Sequence, residues 1–236
     1  MINYAHRGAS AYAAQNTLSA FYLGIACGAN GIETDIRLTA DGVPVLFHDR
    51  DVDRSTDGTG MVKEMTFDEL RAQTEQGSLI SDKVATLDEF FTHFGWRDLH
   101  LALELKCKGV APTVADYVHR WGAGHRTYIT SASFGLLEEM RACAPELRLG
   151  YLAKEITPEI DAQLEALHVE QLCPKAVLVT PQLVADYHAR GYSVRAWGVD
   201  SVELMAHCVE AGVDGMTINF PDKLAAYLAA REGKAE

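Results

Sequence analysis

Residues 99–106 read Leu-His-Leu-Ala-Leu-Glu-Leu-Lys, with leucines at every second position and Glu104 and Lys106 on the alternate face. A period of two is the mark of a β-strand, so this is a strand with an apolar side and a side that carries chemistry at its C-terminal end. It opens a regular alternation. Strand-like runs follow at 127–130, 147–152, 169–173, 192–199 and 213–218, each separated from the next by an amphipathic stretch. Thr157-Pro158 and Thr180-Pro181 place an N-cap before a proline at the first helical position, and Gly191 and Gly212 follow their helices. Strands that alternate with helices pair in parallel.

Toward the N-terminus the same grammar continues. After an opening strand, Asn16 is expected to cap a helix whose Leu18, Phe21, Tyr22, Ile25 and Ala26 form an apolar stripe, with Gly28 near its end. Residues 31–49 read as two extended runs around an Asp41-Gly42 turn, a strong hairpin signal. A polar stretch over about 50–85 looks like an insertion and contains the capping box Thr66/Glu69. Thr86 and Glu89 repeat the box, and Phe90, Phe91 and Phe94 supply apolar positions until Gly95. Counting the first strand and the hairpin region as one unit each gives eight strand-helix units. The expectation is one α/β domain over residues 1–236, a (β/α)8 TIM barrel with a small insertion after the second strand. A doubly wound open sheet is the competing architecture, but no G-x-G-x-x-G loop follows the first strand.

A hydrophobic content of 48% with 23% charged residues is ordinary for a soluble globular chain. The net charge of −12 and pI near 5.2 argue against a nucleic-acid partner or an anionic membrane surface. Nothing approaches the length of a membrane span, and the N-terminus lacks a basic start and an apolar h-region. The five cysteines are odd in number, widely spaced and without a C-x-x-C pair, so buried thiols in a reducing compartment are expected. The cytoplasm is the expected location.

Polar residues gather at the ends of several strands. His6-Arg7-Gly8 ends the first, Glu33 and Asp35 share a face of the second roughly 6–7 Å apart at their Cα atoms, and His48-Asp49 ends the hairpin. In a barrel those ends form the mouth, where Glu104 and Lys106 join them. Carboxylates held together make best sense around a cation, and oxygen ligands suit Mg²⁺ or Ca²⁺. Cationic side chains suit a phosphoryl oxygen. Glu33, Asp35 and Glu104 are thus candidate metal ligands, Arg7 and Lys106 candidate substrate contacts, and the histidines proton carriers. Structural ion pairs of the acids with Arg7 or Lys106 are the alternative. Asp49 either orients His48 or caps the insertion.

His6-Arg7-Gly8, Asn16-Thr17 with Ala20-Phe21, Glu33-x-Asp35, Asp41-Gly42, His48-Asp49, Arg54-x-Thr56 and Glu104-x-Lys106 resemble, in order and spacing, the glycerophosphodiester phosphodiesterase family. Ser133-Phe134, residues 194–199 around Trp197, and Gly212-Val213-Asp214-Gly215 extend the resemblance over nearly the whole chain. Departures are Ala14-Gln15 before Asn16, Gly198-Val199-Asp200, and Asn219 where the family commonly has Asp. The resemblance implies a TIM barrel, a divalent cation at Glu33, Asp35 and Glu104, and His6 and His48 as acid and base. Trp197 becomes a candidate substrate contact. The implied reaction releases sn-glycerol 3-phosphate and an alcohol from a small-molecule glycerophosphodiester. No serine or cysteine stands beside a histidine in these motifs, which leaves a covalent phospho-enzyme through histidine as one route and attack by the tethered glycerol 2-hydroxyl through a cyclic phosphate as the expected one. Two rivals stand beside this reading: a metal-dependent lyase or isomerase that stabilises an enolate with Lys106 as base, and a non-catalytic binder of glycerol phosphates.

Overall fold

The structure is a computed structural model that describes residues 1–73 and 82–232. Its strands are β1 (Ile2–His6), β2 (Gly31–Leu38), β3 (Pro44–Leu46), β4 (His100–Leu105), β5 (Thr127–Ser131), β6 (Arg148–Ala153), β7 (Gln171–Pro174), β8 (Ser193–Val199) and β9 (Gly215–Ile218). The α-helices are α1 (Leu18–Ala26), α2 (Phe67–Ala72), α3 (Leu87–Phe94), α4 (Ala111–Arg120), α5 (Phe134–Cys143), α6 (Pro158–Ala166), α7 (Pro181–Ala189), α8 (Val202–Ala211) and α9 (Pro221–Glu232). All strands except β3 are parallel to their neighbours, and β1 pairs with β2 on one side and β9 on the other. That second pairing closes the sheet into an eight-stranded parallel barrel ringed by helices, and excludes an open doubly wound sheet.

The periodicity of the strands decides what lies inside and outside. Ile32, Ile36, Leu101, Leu103 and Leu105 point outward and pack under the helices with Phe90, Phe91, Phe94 and Val114, the apolar layer that holds the barrel together. The opposite parity fills the barrel with polar groups. Arg195, 1% exposed, donates from Nε to Gln171 Oε1 at 3.0 Å and from Nη1 to Thr217 Oγ1, and lies 5.2 Å from the Tyr4 ring centre. A buried guanidinium is tolerable only when its donors are met in this way.

The hairpin forms as its turn signal predicts. Gly42 adopts φ +81°, which a side chain would resist, and Ile36, Arg37 and Leu38 pair with Leu46, Val45 and Pro44 in the antiparallel sense. The segment that follows has its own small core of Val45, Phe47, Val52, Val62, Leu70 and Val84. Both capping boxes form, Thr66/Glu69 at α2 and Thr86/Glu89 at α3. Part of the expected insertion, residues 74–81, lies outside the described residues.

Two expectations are corrected. Thr17, not Asn16, caps α1, since its side chain accepts from the Ala20 amide, while Asn16 sits at φ +58° with its amide spent elsewhere. The cysteines are free but not all buried. Cys173 and Cys208 are; Cys27 and Cys107 are half-buried, and Cys143 is exposed as the last residue of α5. Among the described residues no helix is long and apolar enough to cross a membrane.

Candidate active site

The loop after β1 is bent back over the barrel mouth. Arg7 takes φ +54° and Gly8 φ +85°, and a Cβ on Gly8 would lie 2.4 Å from the Ala20 carbonyl carbon, so only glycine lets the loop touch α1. The Arg7 amide donates to the Glu33 backbone oxygen at 2.9 Å and reaches its Oε2 at 3.2 Å. The exit of β3 is fixed similarly. Phe47 N–H donates to the Asp35 carbonyl at 3.0 Å, and Arg37 donates from Nε and Nη2 to the His48 carbonyl at 3.0 and 2.7 Å. These backbone ties bring His6, the last residue of β1, and His48, just after β3, to the acidic strands.

Glu33, Asp35 and Glu104 converge as their strand parity predicts. Asp35 stands in register with Glu104 across β2 and β4, and each of the three buried side chains has an oxygen within 4.8 Å of the others. Arg7 Nε lies 3.0 Å from Asp35 Oδ2, and Lys106 Nζ 2.8 Å from Glu104 Oε1 and 3.5 Å from Asp35 Oδ1. The expected substrate cations are thus already paired with the acids. Among the described residues Glu33 has no lysine or arginine ion pair, and Asp35 Oδ1 is buried without a hydrogen-bond partner. Burial, and then the charge of Asp35, pushes the Glu33 and Glu104 carboxyls well above the usual glutamate range. Burial pushes Asp35 upward too, but Arg7 and Lys106 outweigh it and hold that carboxyl below the ordinary range. An all-oxygen cluster that is crowded and buried, with a carboxylate oxygen left without a hydrogen-bond partner, fits a hard divalent cation.

Each imidazole is anchored through Nδ1. His6 Nδ1–H donates to Asn219 Oδ1 at 2.5 Å, an oxygen that also accepts from Ser10 Oγ at 3.0 Å, and His6 Nε2 lies 3.8 Å from Glu33 Oε2. His48 Nδ1–H donates to Asp49 Oδ1 at 2.7 Å, while Asp49 Oδ2 accepts from Arg54 Nε at 2.9 Å. Asp49 therefore orients His48. Burial lowers the pKa of both imidazoles, helped at His6 by the charge of Arg7 and opposed at His48 by that of Asp35.

A cavity of about 460 Å³ opens over this cluster, lined by His6, Arg7, Glu33, His48, Lys106 and Trp197 among others. Trp197 is held in the wall by its Nε1–H, which donates to the Cys173 carbonyl at 2.9 Å. All eight site residues picked out from the sequence thus meet at one mouth. Four more escaped that reading. Asn16 Nδ2 donates to Asp35 Oδ2 at 3.0 Å and its Oδ1 accepts from Thr34 Oγ1 at 2.9 Å; Asn219 fixes His6; Arg195 puts a buried charge beside Glu33; and Lys154 lines the cavity. Arg195 shares strand parity with Trp197, a signal that was present in the sequence.

Comparison with known proteins agrees with this geometry. The family model described as "Glycerophosphoryl diester phosphodiesterase family" matches residues 6–223. A glycerophosphodiester phosphodiesterase of Caldanaerobacter subterraneus subsp. tengcongensis is 31% identical over 230 residues, 93% of this chain and 94% of that one. Among solved structures, an Oleispira antarctica phosphodiesterase in complex with the product sn-glycerol-3-phosphate superposes with a TM-score of 0.84 at 27% identity, covering 96% of each chain. A glycerophosphodiester phosphodiesterase of Agrobacterium tumefaciens gives 0.83 at 26%, covering 94% of this chain and 98% of that one.

Proposed function

The chain belongs to the glycerophosphoryl diester phosphodiesterase family, and from that membership and its mouth geometry we propose that it hydrolyses glycerophosphodiesters to sn-glycerol 3-phosphate and an alcohol by metal-dependent His6/His48 catalysis. The observation that carries this reading is a pair of Nδ1-anchored imidazoles set over a buried trio of carboxylates, one of whose oxygens, Asp35 Oδ1, has no hydrogen-bond partner.

Glu33, Asp35 and Glu104 would hold the divalent cation, Mg²⁺ or Ca²⁺, which when bound supplies Lewis-acid polarisation of a phosphoryl oxygen. Arg7 and Lys106 place positive charge beside the same point and favour the phosphodiester anion. Because Asn219 and Asp49 take the Nδ1 protons, Nε2 of each histidine is the nitrogen left to accept or deliver one. One imidazole takes the proton of the attacking hydroxyl and the other gives a proton to the departing alcohol oxygen. The attacker is the glycerol 2-hydroxyl, tethered next to phosphorus, and water then opens the cyclic phosphate. Trp197 offers the glycerol carbons a flat apolar wall.

The enolate reading needs Lys106 as a neutral base. Burial alone would favour that form, but Asp35 and Glu104 outweigh it and raise the ammonium's pKa, which speaks against it. The test is a panel of glycerophosphodiesters with coupled detection of sn-glycerol 3-phosphate, alongside one analogue built on 2-deoxyglycerol. Turnover of the natural diesters and binding without cleavage of the analogue are expected. No turnover on any member overturns the hydrolase reading, and cleavage of the analogue at the parent rate shows that water attacks phosphorus directly.

A further inference from the structure

Two hollows continue outward from the mouth on the His48 side, about 370 and about 280 Å³, and they share Arg37, Arg50 and Lys106. The larger one touches His48, and the smaller one ends at Lys63. His48 and Lys106 also line the mouth cavity, so the groove is continuous with the place where the phosphodiester is cleaved.

Its charge is out of keeping with the rest of a chain of net charge −12. Among the described residues Arg50 makes neither an ion pair nor a side-chain hydrogen bond. Arg37 makes no ion pair and spends three of its five N–H donors on the His48 and Lys106 carbonyls. Lys63 has only Glu64, 3.7 Å away with both side chains largely exposed, a contact of little strength. The acids that line the larger hollow are already engaged, Asp49 by His48 and Arg54 and Glu104 by Lys106. The cavity on the His6 side, about 550 Å³, differs: its cations Arg7 and Arg54 are already paired with Asp35 and Asp49. Among the described residues, cations without a strong ion pair are therefore concentrated on the His48 side, with Lys154 on the wall of the mouth cavity as a further one.

We propose that the groove walled by Arg37, Arg50 and Lys63 binds a second anionic group on the alcohol half of the substrate, so that the preferred glycerophosphodiesters are those whose alcohol carries a further phosphate. The assignment rests on the hydrolase reading above. A phosphate oxygen matches guanidinium and ammonium donors, whereas the same charges repel a choline or ethanolamine head group.

The test compares kcat/KM for 1,3-bis(glycerophospho)glycerol, glycerophosphoglycerol and glycerophosphocholine, in the wild type and in an Arg50→Gln/Lys63→Gln double variant. Arg37 is left in place because it ties down the His48 loop. The wild type should favour the doubly phosphorylated diester by about tenfold, chiefly through KM, with the preference shrinking as salt is added. The variant should lose that preference and keep its turnover of glycerophosphoglycerol. Equal preference in both proteins, or a wild-type preference for the choline diester, overturns the assignment. Calorimetric binding of the same compounds to His6→Ala with Ca²⁺ present gives the affinity ratio without turnover. If no diester is cleaved, the hydrolase reading falls while that ratio still decides the groove.

Discussion

His6 and His48 are oriented by groups of different chemistry, an amide and a carboxylate, yet in both Nε2 is the nitrogen left outside that bond. Replacing either by alanine should lower kcat by about 10²–10⁴, the usual range for a positioned acid or base. The double variant should fall well short of the product of the two losses; a fully multiplicative effect in steady-state assays would contradict a concerted pair. The carboxylates make a second prediction. Burial and the Asp35 charge raise the folded-state pKa values of Glu33 and Glu104, so without metal the folded protein holds protons that the unfolded chain has already released. Its stability is then fully present below the ordinary glutamate range and falls as pH rises through the raised values. Thermal melts of chelated protein from about pH 7 to about pH 9, above the range in which the lowered imidazoles contribute an opposing slope, should show a falling Tm that Glu33→Gln flattens, with Ca²⁺ stabilising more at the upper end. A chelated Tm that rises over this window, or a slope unchanged in Glu33→Gln, would contradict the raised values.

At the scale of elements, the loop between β1 and α1 does the most for the site, and Gly8 is its weak point. Gly8→Ala combines a positive φ with a backbone clash against Ala20 and should cost about 2–4 kcal/mol in denaturant melts, along with most of the activity. Near-wild-type stability would show that the loop can shift. This loop also marks where sequence reading stops. Glu33, Asp35, Glu104 and Lys106 were legible because strand parity alone puts them on one face, and the capping boxes were legible because their signature is local. Asn16 and Thr17 are adjacent and both able to cap, and only the bond from Asn16 to Asp35, nineteen residues away, assigns them. Asn219 was visible as a departure from a family pattern, but its contact with His6 spans 213 residues and exists only because β9 closes against β1. Asp49 had two open roles until the hairpin exit was fixed in space.

For the whole molecule, closing the barrel gathers short-range features into one mouth, over a polar interior in which Arg195 is hydrogen-bonded to Gln171 and Thr217. Helices outside bury the apolar faces, so the interior is released from core packing to carry charge. The central claim is that this mouth cleaves glycerophosphodiesters through a cation held by Glu33, Asp35 and Glu104. Its most direct test is release of sn-glycerol 3-phosphate from glycerophosphoglycerol by chelated protein titrated with Mg²⁺ or Ca²⁺, with Glu104→Gln in parallel. The account predicts no turnover in the chelated state, recovery that saturates with one bound cation per chain, and little recovery in the variant. Undiminished turnover after chelation, or equal recovery in Glu104→Gln, would contradict it.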